Sequence, residues 1–402
     1  MTHPRPTIPE TVNAVWHRSI SDIDRTDWDR LCGPSVSPFL EWDWLHLLED
    51  SGSANQDTGW LPLHLTLSHQ DHIIAAAPLY LRFDSTGEFV FDQIWANVAL
   101  RLGLPYYPKL VGMSPFTPAA GYTFLTDPTF NQHLLQEALF ATLADFSEHN
   151  ALHSLAFNFI DPAWKPELES RGYSLWEHQG FVWKNANYGH FDDFLSNLKP
   201  NRRKTIRRER KSLLNAGITT QVLQGDEITP EVLDWMYEVY VNTNDKFGRF
   251  SCKFLTKKFF DGLLGPVRRH LLFVVARQNN NARPIAMALL AHKNGILYGR
   301  YWGTFEHIPF LHFEVCYYTP IEWAIANGLH TFDPGMGGEH KTLRGFLSTT
   351  NYSAHLLLDS RMREIMRINM DKVNSLEREH IEALNELLPY KEDEEHQGTD
   401  RE

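Results

Sequence analysis

Cysteine is scarce in this 402-residue chain: Cys32, Cys252 and Cys316 stand far apart and are odd in number. No two have metal-knuckle spacing, and so sparse a set excludes a disulfide framework. Long apolar runs are missing too. The longest, IIAAAPLYL, is about half a membrane span and is broken by proline. The opening residues, MTHPRPTIPETVNAVWH, lack the apolar centre of a secretory signal. Together these absences predict a soluble cytoplasmic protein with free thiols and no transmembrane segment.

Net positive charge is also absent. The chain carries −12, which excludes a general polyanion binder. HExxH and GxSxG signatures do not occur. The glycines near residue 335 are followed by EHKT rather than the GK[ST] of a phosphate loop. His312, Glu314, Glu339 and His340 are metal-ligand types, but HFE and GEH match no common ligand spacing. No metal is expected. Cys316 falls on an apolar helix, where packing explains it.

What is present begins with size. Apolar residues make up 43% and aromatics 13%, with 12 Trp, enough for sizeable cores. The length suits two domains. WLPLHLTLSH and HIIAAAPLYLRF read as a hairpin, NQHLLQEALFATLADFSEHN as a helix and SLAFNFI as a strand. A similar order follows: strand FVWKNANY, helices around the Pro200 interruption, then strands HLLFVVARQ, RPIAMALLAHKN and GILYGRYWGT. A helix over FEVCYYTPIEWAIANG, strands HTFDPG and SAHLLLD, and a last helix at 360–387 complete the pattern. Two α/β halves result: 19–180 and 181–387. They are preceded by a loose arm, 1–18, and followed by a disordered acidic tail, 388–402. In the first half, YYPKLVGMSPFTPAAG is either a substrate lip with Lys109 near its mouth or a structural proline-rich loop.

One segment departs from the acidic balance. KPNRRKTIRRERK, residues 199–211, holds eight basic residues against one glutamate, leaving −19 for the rest of the chain. On a helix, like charges four apart repel, as Arg203 and Arg207 do. Arg202, Arg203, Arg207 and Arg210 are therefore candidate ligands for an anion, whether a nucleic-acid backbone, a phosphate-rich cofactor or anionic lipid. A solvated charged face is the plainer alternative.

The second concentration of chemistry lies between residues 298 and 346. The strand at 296–304 places Tyr298, Arg300 and Trp302 on one face. The helix expected near His312–Glu314 offers free N–H groups to an anion. Glu314 and Glu322 share a helix face and need a partner, for which Arg300 and Arg344 are available. FDPGMGGEHKTLRGF then sets Gly335, Gly337 and Gly338 beside an acid, an imidazole, Lys341 and Arg344. The loop is either a tight surface turn or a substrate cradle. Without a nucleophile motif, what remains is transfer chemistry driven by positioning, with Glu314, Asp333, Glu339 and His340 as candidate bases toward an amine.

Eight stretches together, STGEFVFDQIWA, YYPKL, PFTPAAG, KPNRRKTIRRERK, KFGR, YGRYWG, LHFEVCYY and FDPGMGGEHKTLRGF, carry a resemblance. The chain is similar, over about residues 19–375, to the bacterial peptidoglycan biosynthesis/recognition family, predicted N-acyltransferases related to Fem-type aminoacyltransferases. The resemblance implies an α/β chain of tandem GNAT-like mixed sheets with flanking helices. It places the acyl donor in a gap between two splayed parallel strands, here ILYGRYWGT and HTFDPG. It implies no tightly bound cofactor, aminoacyl-tRNA or acyl-CoA as donor, and an amine acceptor such as a peptidoglycan precursor. The Q/R-x-x-G-x-G/A loop of acetyl-CoA-binding relatives is replaced by HIPFLHFE, whereas the basic helix suits aminoacyl-tRNA. The alternative is a non-catalytic module of the same fold that binds a cell-wall precursor, anionic lipid or RNA.

Overall fold

The computed structural model describes residues 12–246, 248, 252–279 and 281–391. Residues 1–11 of the expected arm, 392–402 of the expected tail, and Phe247 and Arg249 of KFGR lie outside the described residues.

The strands of the first half are β1 (Asn13–His17), β2 (Leu61–Pro62), β3 (His64–His69), β4 (His72–Ala77), β5 (Tyr80–Arg82), β6 (Lys109–Gly112), β7 (Leu125–Thr126), β8 (Ser154–Phe157) and β9 (Ser174–Lys184). Those of the second are β10 (Ile218–Gln224), β11 (Leu271–Gln278), β12 (Ala286–Lys293), β13 (Ile296–Thr304), β14 (Thr331–Asp333) and β15 (Leu347–Leu357). A small sheet has the order β1-β3-β4-β7, and the expected hairpin is its β3–β4 pair. The end of the expected arm is strand β1, held by five ladder positions against β3.

The large sheet runs β10-β11-β12-β13-β14-β9-β15-β8-β6-β5-β2 through both halves. One motif occurs twice in it. β5 lies antiparallel to β6, which is parallel to β8; β12 lies antiparallel to β13, which is parallel to β14. The halves then interlock, because β15 inserts between β8 and β9 while β9 pairs with β14. The expected boundary at residue 180 therefore falls inside β9, paired there with Thr349.

β11 shows why the sheet is central. Leu271, Phe273 and Val275 enter one core while Leu272, Val274 and Ala276 enter another, as period-2 alternation requires of a strand buried on both faces. The first of these cores also takes Trp28, Trp44, Trp60 and Phe116 from the N-terminal half, so one apolar interior joins both halves.

Helices cover the sheet. Pro200 begins the basic helix Pro200–Asn215 at its first turn, where a missing N–H costs nothing. The C-terminal helix, Ser360–Glu386, packs against β9 and β15. Among the described residues, no helix is long and apolar enough to cross a membrane.

Candidate functional site

β13 and β14 pair in parallel at Ile296–Thr331, Leu297–Phe332 and Tyr298–Asp333, and the ladder ends there. Pro334 follows and has no N–H to continue it. Gly335, Gly337 and Gly338 all take positive φ, so the chain turns away while β13 runs on to Thr304. Asp333 Oδ1 accepts the Gly335 N–H at 2.8 Å, starting the turn.

β13 carries a second irregularity. Its register against β12 jumps from Leu289–Tyr301 to Leu290–Gly299, leaving Arg300 as the extra residue of a bulge. Between bulge and glycine loop lies a cavity of about 740 Å³. Arg300, Trp302, His312, Cys316, Tyr317, His340 and Lys341 contribute to its wall. Phe89, Phe116 and Pro118 reach it from the N-terminal half.

The charges there are mostly cationic. The Arg300 side chain is 2% exposed and its Nη2 lies 3.3 Å from Asp333 Oδ2. Its Nε has no partner. Lys341 is buried and donates from Nζ to the carbonyls of Gly335 at 2.7 Å and Met336 at 3.1 Å, closing the glycine loop. Burial holds its ammonium down at about 8. Burial likewise lowers His312 to about 3 and His340 to about 4, so both imidazoles are neutral at physiological pH. His340 Nε2 lies 3.1 Å from the Tyr317 hydroxyl, and the His312 ring sits 4.5 Å from Trp302 and 5.6 Å from His340. Among the described residues, no aspartate or glutamate lines the cavity.

Of the residues singled out from sequence, Arg300, Trp302, His312, His340 and Lys341 converge on this cavity, with Asp333 behind Arg300. The others do not. Tyr298 is buried edge-on against Phe39. Glu339 is exposed. Glu314 faces the basic helix: Arg210 Nε lies 3.1 Å from both its oxygens, and Thr319 donates to it as well. Its partner is thus neither Arg300 nor Arg344. Arg344 is held by His340 O and Glu209 over the Phe313 ring. Arg210 is occupied by Glu314 and Glu322, and Arg207 by Asp192. Arg202 and Arg203 are half-buried in the first turns of the helix. Of the four residues weighed as metal ligands, His312 and His340 share the cavity wall, while Glu314 faces Arg210 and Glu339 faces solvent.

Sequence reasoning missed Tyr301, Tyr317, Phe89 and Phe116. Tyr301 donates to Phe116 O at 3.0 Å, tying the strand to the PFTPAAG loop. Phe116 stacks on Phe254 at 4.8 Å. Phe89 and Phe116 both have φ of +58°, a strained state for a bulky residue. Their available signal was position, since each lies within a stretch that carries the resemblance. The PFTPAAG loop does form part of the cavity's wall. Lys109 does not: it is buried on β6, paired with Glu88 and Asp92.

The repeated motif of the N-terminal half lacks an equivalent opening. There the Tyr122 ring covers Gly112 so closely that a Cβ would lie 2.2 Å from the hydroxyl. The hollow beside it measures about 10 Å³, room for about one water.

The FemAB-like family, described as peptidoglycan biosynthesis/recognition, matches residues 19–392. FemX superposes with a TM-score of 0.52 at 11% identity, covering 88% of this chain and 99% of its own. The C-terminal domain (DUF2156) of a putative lysylphosphatidylglycerol synthetase from Agrobacterium fabrum gives 0.50 at 11% identity, covering 88% and 97%. These likenesses show the fold. No curated protein matches the chain.

Proposed function

The chain belongs to the FemAB-like family of peptidoglycan biosynthesis/recognition, and on that basis we propose that it is an acyltransferase or aminoacyltransferase acting on the amine of a cell-wall precursor. The observation that carries this reading is the splayed β13–β14 pair, whose gap is lined by cations and neutral imidazoles. An acyl carbonyl seated along the free edge of β13 would meet backbone N–H groups where its oxyanion develops. His340 is the proton acceptor: it is neutral, faces the cavity and is oriented by Tyr317. Attack by the amine forms the new N–C bond and passes a proton to the imidazole. Collapse breaks the bond from the carbonyl carbon to the donor oxygen or sulfur, and the imidazolium returns the proton to that leaving atom.

Aminoacyl-tRNA is the donor we favour. The basic helix exposes Lys204, Arg207, Arg208 and Lys211. Its buried Glu209 accepts from Tyr318 at 2.5 Å and lies 3.4 Å from Arg344, so the helix is tied to neighbours of Tyr317 and His340.

The test is transfer of labelled aminoacyl groups from charged tRNA, or of acetyl from acetyl-CoA, to a UDP-linked muramyl peptide. His340→Ala should lower kcat by about 10²–10⁴-fold with an unchanged circular dichroism spectrum. Undiminished turnover in that variant removes His340 from the reaction. Binding of the acceptor without turnover from either donor would leave a recognition module instead.

A further inference from the structure

We propose that the cavity contains a subsite for a singly charged oxyanion, a carboxylate or a phosphodiester on an apolar body, gripped by Arg300 and Lys341. The assignment takes the cavity as the substrate site, the reading proposed above, and goes on to name the group it recognises.

Counting donors comes first. An ammonium has three N–H groups, and Lys341 spends two on the carbonyls of Gly335 and Met336. One remains. Arg300 directs Nη2 at Asp333, while its Nε, buried in the cavity wall, bonds to nothing. A buried charged donor left unpaired is costly, and protein interiors seldom tolerate one. Arg300 Nε is one such donor, and Lys341, on the same cavity wall, keeps one N–H beyond its two carbonyls.

The charge balance points the same way. Arg300 and Lys341 contribute two positive charges and Asp333 one negative. The imidazoles of His312 and His340 are neutral, and burial keeps the Cys316 thiol protonated. The surplus is one positive charge, which a monoanion cancels. Asp333 and Arg300 are both felt by the Lys341 ammonium, so the three groups form one electrostatic cluster. Charge-assisted N–H···O⁻ bonds are about twice as strong as neutral ones, and a dry cavity strengthens them further.

Shape supplies the rest. Phe89, Phe116, Leu289, Trp302 and Met336 form an apolar wall beside the cations. The bulge makes the arrangement possible, because it adds Arg300 to a strand otherwise in register with β12. The ligand class is thus an apolar body ending in one negative group.

Three probes of similar size test this by calorimetric titration of the full chain: 4-phenylbutyrate, methyl phenethyl phosphate and neutral 4-phenylbutanamide. At least one anion should bind 10-fold or more tightly than the amide. Preference for the carboxylate identifies that group as the one recognised, and preference for the phosphodiester identifies the other. Arg300→Gln and Lys341→Met should each cut anion affinity 10-fold or more while leaving amide binding within about 2-fold. The inference is overturned if the amide binds as well as both anions, if no anion binds, or if a folded variant keeps the preference. Should Arg300→Gln fail to fold, the wild-type comparison and Lys341→Met still decide. None of these readouts requires turnover. An inactive protein with the anion preference loses only the transferase reading, and an active one without it loses only this subsite.

Discussion

Arg210 Nε sits 3.1 Å from both carboxylate oxygens of Glu314, joining residues 104 positions apart in the chain. The Glu314 side chain is 8% exposed and that of Arg210 27%. This pair fastens the basic helix to the helix that flanks the cavity, so Arg210 acts inward while Arg208 and Lys211 face solvent. Arg210→Met leaves a buried carboxylate without its cation and should cost about 2–3 kcal/mol, discounted from the fully buried case because Arg210 is partly exposed. Arg208→Met, on the exposed face, should stay within about 0.5 kcal/mol. Urea unfolding of the two variants checks the contrast; equal losses would remove Arg210's structural role.

Two glycines of β13 should respond oppositely. A Cβ at Gly303 would lie 2.1 Å from the carbonyl oxygen of Val239, on the helix Pro230–Asp245. Gly303→Ala must push that backbone away and should destabilise by about 3 kcal/mol or more. At Gly299 the nearest atoms would be at 3.4 Å, ordinary contact, yet the methyl would project beside the cavity. Gly299→Ala should therefore fold with a near-normal melting temperature and bind cavity ligands more weakly. A melting temperature lowered equally in both would contradict this placement.

The exposed cations of the basic helix should govern polyanion binding. Replacing Lys204, Arg208 and Lys211 together by glutamine should weaken tRNA binding and flatten the dependence of log K on log salt. Each lost phosphate contact lowers that slope by roughly 0.7–0.9. Filter binding across a salt series measures it. An unaltered slope would place the donor elsewhere.

Acid should weaken the fold through a histidine pair, His355 buried and His178 half-buried. The Ser353 hydroxyl lies 2.6 Å from His178 Nε2 and 2.7 Å from His355 Nε2. Burial, the first cause in both, lowers His178 to about 3 and His355 to about 4, against an ordinary value of 6.5. Between pH 6.5 and about 4 the unfolded chain binds protons that the folded chain refuses. Stability is therefore full above pH 6.5 and falls on acidification, by up to about 1.4 kcal/mol per pH unit for each histidine. Urea midpoints at pH 7.5, 6 and 5 should decline steeply in the wild type and less so in His178→Gln. Parallel slopes would show that other groups dominate.

Much of the architecture was legible because period-2 alternation and helical spacing are local properties. The hairpin β3–β4, the helix Gln132–His149 and the consecutive strands β11, β12 and β13 follow from residues near one another in sequence. β9 runs through the expected boundary at Gly180, although glycine weakens a strand. The glycine is there because Asn351 crosses β9: a Cβ would lie 2.5 Å from its side-chain nitrogen. β15 starts earlier than its apolar run. Ser348, at its polar start, is met by the C-terminal helix, whose Asn385 bonds both of its backbone groups.

Composition and motif alone determined that this is a two-part α/β chain carrying a basic helix, a glycine loop and a set of acids, imidazoles and cations in its second half. Only the tertiary structure decided which of those charges face a cavity and which face each other. Arg210 and Arg300 are alike as residues, but one meets a buried glutamate and the other a cavity. Ion pairing acts through space, whereas residue type and spacing report only along the chain.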